Sequence, residues 1–175
     1  HILVLAGLGN NGADGIAIAR LLYTQGFNVS LQFVGNVSRA KASVQQQLQI
    51  IENYGLIRAE KSDFNEATLI VDAIFGVGLN NTLPEGLQKM IKAANHIEKT
   101  VIAVDIPTGI DATTGEVRGA ALKAHTTVTF GYNKVGLTQN VGGYLSGNVI
   151  VKDIGLRLPE DFTFTTVTPD NIATT

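Results

Sequence analysis

The run Ile2-Leu3-Val4-Leu5 is apolar at every position. Successive side chains of a strand point to opposite faces, so an unbroken apolar run needs cover on both sides. Sheets covered on both sides are mostly parallel, and the rest of the chain follows suit. Residues 14–23 carry Ile16, Ala19, Leu22 and Tyr23 at helical spacing, and Gly26 then ends that helix. Residues 29–34 read as the second strand, and Ser38 is placed to cap a helix running through Val44, Leu48 and Ile51 to Gly55. Residues 69–75 and 100–106 read as strands on either side of a helix over 83–97. After Asp111, strands over 126–132 and 148–154 are joined only by loops, without crossover helices. Short apolar runs alternating with helical patterns are the mark of βαβ units. The expected fold class is therefore α/β, a three-layer α/β/α sandwich with a mainly parallel sheet. The stretch 158–175, rich in Thr with Pro159 and Pro169, reads as a C-terminal tail or linker.

Composition removes several classes of function. The chain has 175 residues, the scale of one domain, and is 45% hydrophobic, enough for an ordinary core. Charged residues are 16% and the net charge is -2, so a nucleic-acid partner is not expected. With no cysteine there is no disulfide, thiolate chemistry or zinc–sulfur site. That fits a reducing compartment, and the expected location is cytoplasmic. No apolar run approaches the roughly 18 residues of a membrane span, so no membrane association is expected. The chain opens inside a strand rather than on Met, and the natural N-terminus is expected to lie further upstream.

Three segments carry chemistry. Gly7-Leu8-Gly9-Asn10-Asn11-Gly12-Ala13-Asp14-Gly15 contains a G-x-G-x-x-G between the first strand and the first helix. Glycines let the backbone approach a ligand, and a helix N-terminus offers free N–H groups to an anion; the same glycines could also serve only a tight turn. A dinucleotide site of the ordinary oxidoreductase kind would place an acid at the end of the second strand. Here that region reads Leu31-Gln32-Phe33-Val34-Gly35-Asn36, which disfavours an NAD-dependent oxidoreductase. In Val71-Asp72-Ala73-Ile74-Phe75-Gly76-Val77-Gly78 and Val104-Asp105-Ile106-Pro107-Thr108-Gly109, an Asp breaks or ends an apolar strand before a loop of small residues. Each Asp either caps its loop or belongs to a site, since a buried carboxylate needs a partner. With the first loop, these features converge on one sheet edge. Asn11, Asp72 and Thr108 together would make an all-oxygen cation site. His1, His96 and His125 fit no ligand spacing. Lys134 either meets a ligand phosphate or is solvated.

Together these segments resemble the NAD(P)H-hydrate epimerase family, also called the YjeF N-terminal domain. The resemblance rests on G-x-G-N-N-G-x-D-G, V-D-A-x-F-G-x-G-L, V-D-I-P-T-G-x-D and T-F-G-x-x-K-x-G-L in that order, and runs to Val151-Lys152-Asp153-Ile154-Gly155. It implies a Rossmann-like domain over residues 1–157 that interconverts the R and S forms of hydrated NADH and NADPH. By it, Asn10, Asn11, Gly12, Ala13, Asp14, Gly76, Val77, Gly78, Leu79, Asn80, Asn81, Thr82 and Asp105 would bind the dinucleotide. Asp105 would be the catalytic acid/base, and Asn11, Asp72 and Thr108 would bind one potassium ion per subunit. A homodimer is implied, as is a partner, fused or separate: an ADP- or ATP-dependent dehydratase, whose entry the segment Thr166 to Ile172 resembles. Two features depart from the family. Ala13 stands where a second glycine is usual, tolerable if its φ is negative, and the usual N-terminal helical region is missing. The alternative is a non-catalytic nucleotide- or RNA-related binding module of the same family; the retention of Asn11, Asp72 and Asp105 argues against it.

Overall fold

The computed structural model describes residues 1–58 and 64–157. Strands β1 (Ile2–Ala6), β2 (Val29–Phe33), β3 (Ile57–Arg58), β4 (Leu69–Ala73), β5 (Thr100–Val104), β6 (Thr126–Phe130) and β7 (Asn148–Lys152) form one sheet in the order β3-β2-β1-β4-β5-β6-β7. Every strand pairing in it is parallel. The α-helices among the described residues are α1 (Asn10–Thr24), α2 (Ala42–Glu52), α3 (Glu85–His96) and α4 (Asn140–Leu145). None of the described helices is long and apolar enough to cross a membrane.

The apolar run of β1 divides between two cores. Ile2, Val4 and Ala6 join Ile16 and Ala19 of α1 and Val44 and Ile51 of α2, whereas Leu3 and Leu5 join Ile70, Ile91 of α3 and Leu122. Both faces of the central strand are thus covered, the condition its sequence demanded. Because β1 lies between β2 and β4, the chain leaves it first to one side and then to the other. The carboxyl ends of β1 and β4 flank the crevice where open α/β sheets bind ligands.

Local signals moved several boundaries. Helix α1 begins at Asn10, within the glycine-rich segment, and Ala13 sits in its first turns rather than at a positive φ. Ser38 does not cap α2. It lies in a 3₁₀ turn (Val37–Arg39), where the Asn36 side chain accepts its N–H, and α2 starts only at Ala42. Helix α3 begins at Glu85, behind Pro84, rather than at Leu83. The link between β6 and β7 is not loop alone: α4 crosses over there, a helix whose Asn140, Gly142 and Gly143 are weak helix formers. The expected tail 158–175, with the segment Thr166 to Ile172, lies outside the described residues.

Candidate active site

A cavity of about 890 Å³ opens over the carboxyl ends of β2, β1, β4 and β5. Its walls come from the turn after β1, the β2–α2 connection, the loop after β4, the start of α3, and Asp105. The glycine-rich turn divides its duties. A Cβ on Gly12 would come 1.9 Å from the Gly7 carbonyl oxygen, so that glycine closes the turn, while Gly9 has open space before it and lines the cavity. Asn10, Asn11 and Asp14 line it too, whereas Gly12 and Ala13 are buried beneath.

The two strand-ending aspartates take opposite roles. Asp72 is fully buried. Its Oδ2 accepts the Thr108 N–H at 2.7 Å, and its Oδ1 accepts the Thr108 hydroxyl at 2.6 Å and the Ile74 N–H at 3.3 Å. It therefore caps both loops. Burial pushes its carboxyl up to about 6, against the pull of those hydrogen bonds, and among the described residues no cationic side chain pairs with it.

Asp105 stands just past β5 with φ 69, in the left-handed region. Its Oδ1 meets the Lys134 ammonium at 2.7 Å and accepts the Thr129 hydroxyl at 3.1 Å. Lys134 also donates to Thr129 Oγ1 and to the Phe130 carbonyl, each at 2.8 Å. The lysine is thus neither solvated nor free for a ligand phosphate; it is the counter-ion of Asp105. The other oxygen, Oδ2, lies against Gly76, where a Cβ would come within 2.9 Å of it and 3.4 Å of Asn11 Cγ. Only a glycine leaves that space open. Asp14 lines the same wall, and burial, then the charge of Asp105, raises its carboxyl above the usual range.

Asp72 and Thr108 meet directly, and Asn11 adjoins Gly76 beside Asp105. The Asn11 Nδ2 is buried without a hydrogen-bond partner among the described residues. Of the loop after β4, Gly76, Val77 and Gly78 line the cavity. Leu79 turns into the core, and Asn80, Asn81 and Thr82 are exposed beyond it, outside the cavity lining. The sequence reading did not single out Arg39, Lys41, Met90, Phe130 or Gln32 as lining residues, nor Thr129 as a partner of Asp105. For Arg39 and Lys41 the available signal was position: they follow the end of a parallel strand.

Fold and site together define a Rossmann-like α/β domain with an acid-bearing cavity at the switch point of its sheet. The family model of the YjeF-related protein N-terminus matches residues 1–136, and the chain belongs to that family. It is 85% identical over 171 residues to the NAD(P)H-hydrate epimerase of Leuconostoc kimchii, covering 98% of this chain and 76% of that protein. It is 48% identical over 162 residues to that of Weissella koreensis, covering 92% and 73%. Among solved structures it is similar to the yeast protein ynu0, YNL200c, with a TM-score of 0.73 at 22% identity, over 98% of this chain and 75% of that one, a likeness of fold.

Proposed function

We propose that this enzyme interconverts the R and S hydrates of NADH and NADPH, inverting C6 of the reduced nicotinamide ring. The observation that carries the reading is Asp105, a carboxylate on the cavity wall with one oxygen tied to Lys134 and Thr129 and the other beside Gly76. The epimerase name borne by relatives as similar as 85% supports it.

C6 is bonded to both the ring nitrogen and the hydroxyl. By one route the hydroxyl leaves as water with a proton from Asp105 while the nitrogen lone pair forms C=N, and water then adds to the opposite face and returns a proton. By the other, the hydroxyl gives up its proton as the C6–N bond opens, and closure on the other face restores it. Both routes move a proton at the same oxygen, work suited to one positioned carboxylate. Lys134 and Thr129 fix the rotamer of Asp105, and Gly76 keeps the approach clear.

Asn11, Asp72 and Thr108 would hold a potassium ion, supplying positive charge beside an otherwise uncompensated buried carboxylate. Their chemistry fits. The ligands are oxygens, Asp72 lacks a cationic partner among the described residues, and Asn11 has an unsatisfied buried amide. A half-turn of that amide would put its oxygen, an acceptor, at the unsatisfied position. A homodimer, a cytoplasmic location and a dehydratase acting on the S hydrate complete the proposal.

The test is incubation with a mixture enriched in the R hydrate, with the epimer ratio followed by chromatography. The enzyme is expected to drive the ratio to equilibrium faster than buffer alone. A rate equal to buffer would overturn the reading.

A further inference from the structure

We propose that Arg39 and Lys41 form a subsite for the 2′-phosphate of the substrate's adenosine ribose, making the phosphorylated dinucleotide hydrate the preferred substrate. The proposal rests on the dinucleotide reading of the cavity and deepens it.

Both residues line the same cavity as Asp105, at its far end. Asp105 follows β5 and the basic pair follows β2, three strand spacings away in the sheet order, or about 14 Å at the usual separation of neighbouring strands. A dinucleotide whose nicotinamide lies at Asp105 can lay its adenosine half across β1 toward β2. At the end of that strand, an acid selects a free ribose 2′-hydroxyl, and an arginine nearby accommodates a 2′-phosphate. Here Gln32-Phe33-Val34-Gly35-Asn36 supplies no acid, and a guanidinium and an ammonium follow.

Charge is also sorted along the cavity. Its only lining carboxylates among the described residues are Asp14 and Asp105, at the nicotinamide end, and its lining cations are Arg39 and Lys41. A dianionic phosphate is repelled from the first end and drawn to the second. Neither cation is in an ion pair among the described residues. Arginine can grip phosphate through two parallel N–H donors, with lysine adding a point charge.

The backbone that carries the pair is held in place. Lys41 N–H donates to the Leu8 carbonyl at 2.9 Å, Arg39 N–H to Asn36 O at 2.9 Å, and Val34 N–H to Ala6 O at 2.9 Å. Ser43 Oγ reaches Asn10 Oδ1 at 3.2 Å, fastening the start of α2 to the glycine-rich turn.

The experiment is calorimetric titration of the whole chain with 2′-phospho-ADP-ribose and with ADP-ribose, repeated on the double variant Arg39→Gln/Lys41→Gln. The phosphorylated compound is expected to bind at least about tenfold more tightly, the scale of charge-assisted hydrogen bonds. The double variant, at exposed positions, is expected to fold with an unchanged circular dichroism spectrum and to erase the difference. In turnover, the ratio of kcat/KM for the NADPH hydrate over the NADH hydrate should fall by a like factor. Equal affinity of the native chain for the two compounds, or a preference that survives the double variant, would overturn this subsite while leaving the dinucleotide reading intact. Failure of both compounds to bind would overturn both.

Discussion

Asp72 and Asp105 end neighbouring strands with the same local cue, an acid that breaks an apolar run before a loop of small residues, yet they meet opposite surroundings. Asp72 is sealed off and spends its oxygens on Thr108 and Ile74. Asp105 has a cation beside it and a place on the cavity wall. The cue identifies where a sheet edge turns polar; what the carboxylate does there is decided by whether backbone donors or a side-chain cation reach it first. A site can therefore contain one acid that holds its loops and another that faces the cavity beside a cation.

The comparison breaks most sharply at Asp105. Asp105→Asn is nearly isosteric but cannot give and take a proton, so turnover should fall by about 10²–10⁴-fold, with binding and melting temperature retained. Lys134→Met should follow it as a smaller loss, expected in kcat, because the cation holds the Asp105 carboxylate in place. Epimer ratio and ligand-induced thermal shift, measured on one preparation, separate the cases. An active Asp105→Asn enzyme would mean another group carries the chemistry.

At Asp72 the expected effect is on stability. In Asp72→Asn an amide hydrogen faces donors that now meet an oxygen, a loss of about 1–3 kcal/mol. The native chain should melt higher in potassium chloride than in tetramethylammonium chloride at equal ionic strength, and the variant should not. Identical melting of the native chain in the two salts would remove the cation from Asp72.

The smallest effect belongs to a third acid away from the cavity. Asp111 is held well below the usual carboxylate range by Arg118, aided by the N–H groups of Thr114 and Thr113. A carboxyl lowered in the folded state stabilises above its unfolded value and loses that contribution as pH falls toward its folded one. Asp111→Asn should therefore melt about 2 °C lower at neutral pH, a screened pair being worth little. The gap should close as pH drops below about 4. A gap that widens in acid would contradict the pairing.

Much of the fold was legible because burial on both faces leaves a plain trace. Ile2-Leu3-Val4-Leu5 announced a central parallel strand, and the two aspartates marked the working edge. What escaped had physical causes. Helix α4 is only six residues long, half of them glycine or asparagine, so periodicity could not reveal it. The pairing of Asp105 with Lys134 and Thr129 joins the end of β5 to the neighbouring β6 and the segment after it, Thr129 being 24 residues on, and such contacts are set by topology rather than spacing. Asn80, Asn81 and Thr82 were expected at the ligand, but Leu79 is buried and those three stand outside the cavity lining, which resumes at Pro84. Arg39 and Lys41 look like ordinary surface charges until the order of the strands puts them over the same cavity.

The clasp at Asp72 has a mechanical consequence. Thr108 gives two hydrogen bonds to Asp72 and accepts one from Phe75 at 3.1 Å, so the loops after β4 and β5 are riveted to each other. They move as one jaw or not at all. The opposite jaw, the β2–α2 connection, is fastened to the glycine-rich turn by Lys41 N–H to Leu8 and by Ser43 to Asn10, with the latter bond exposed to water. A guest too large for the resting gap would be admitted by the yielding of that second jaw, while the side carrying Asp105 kept its shape.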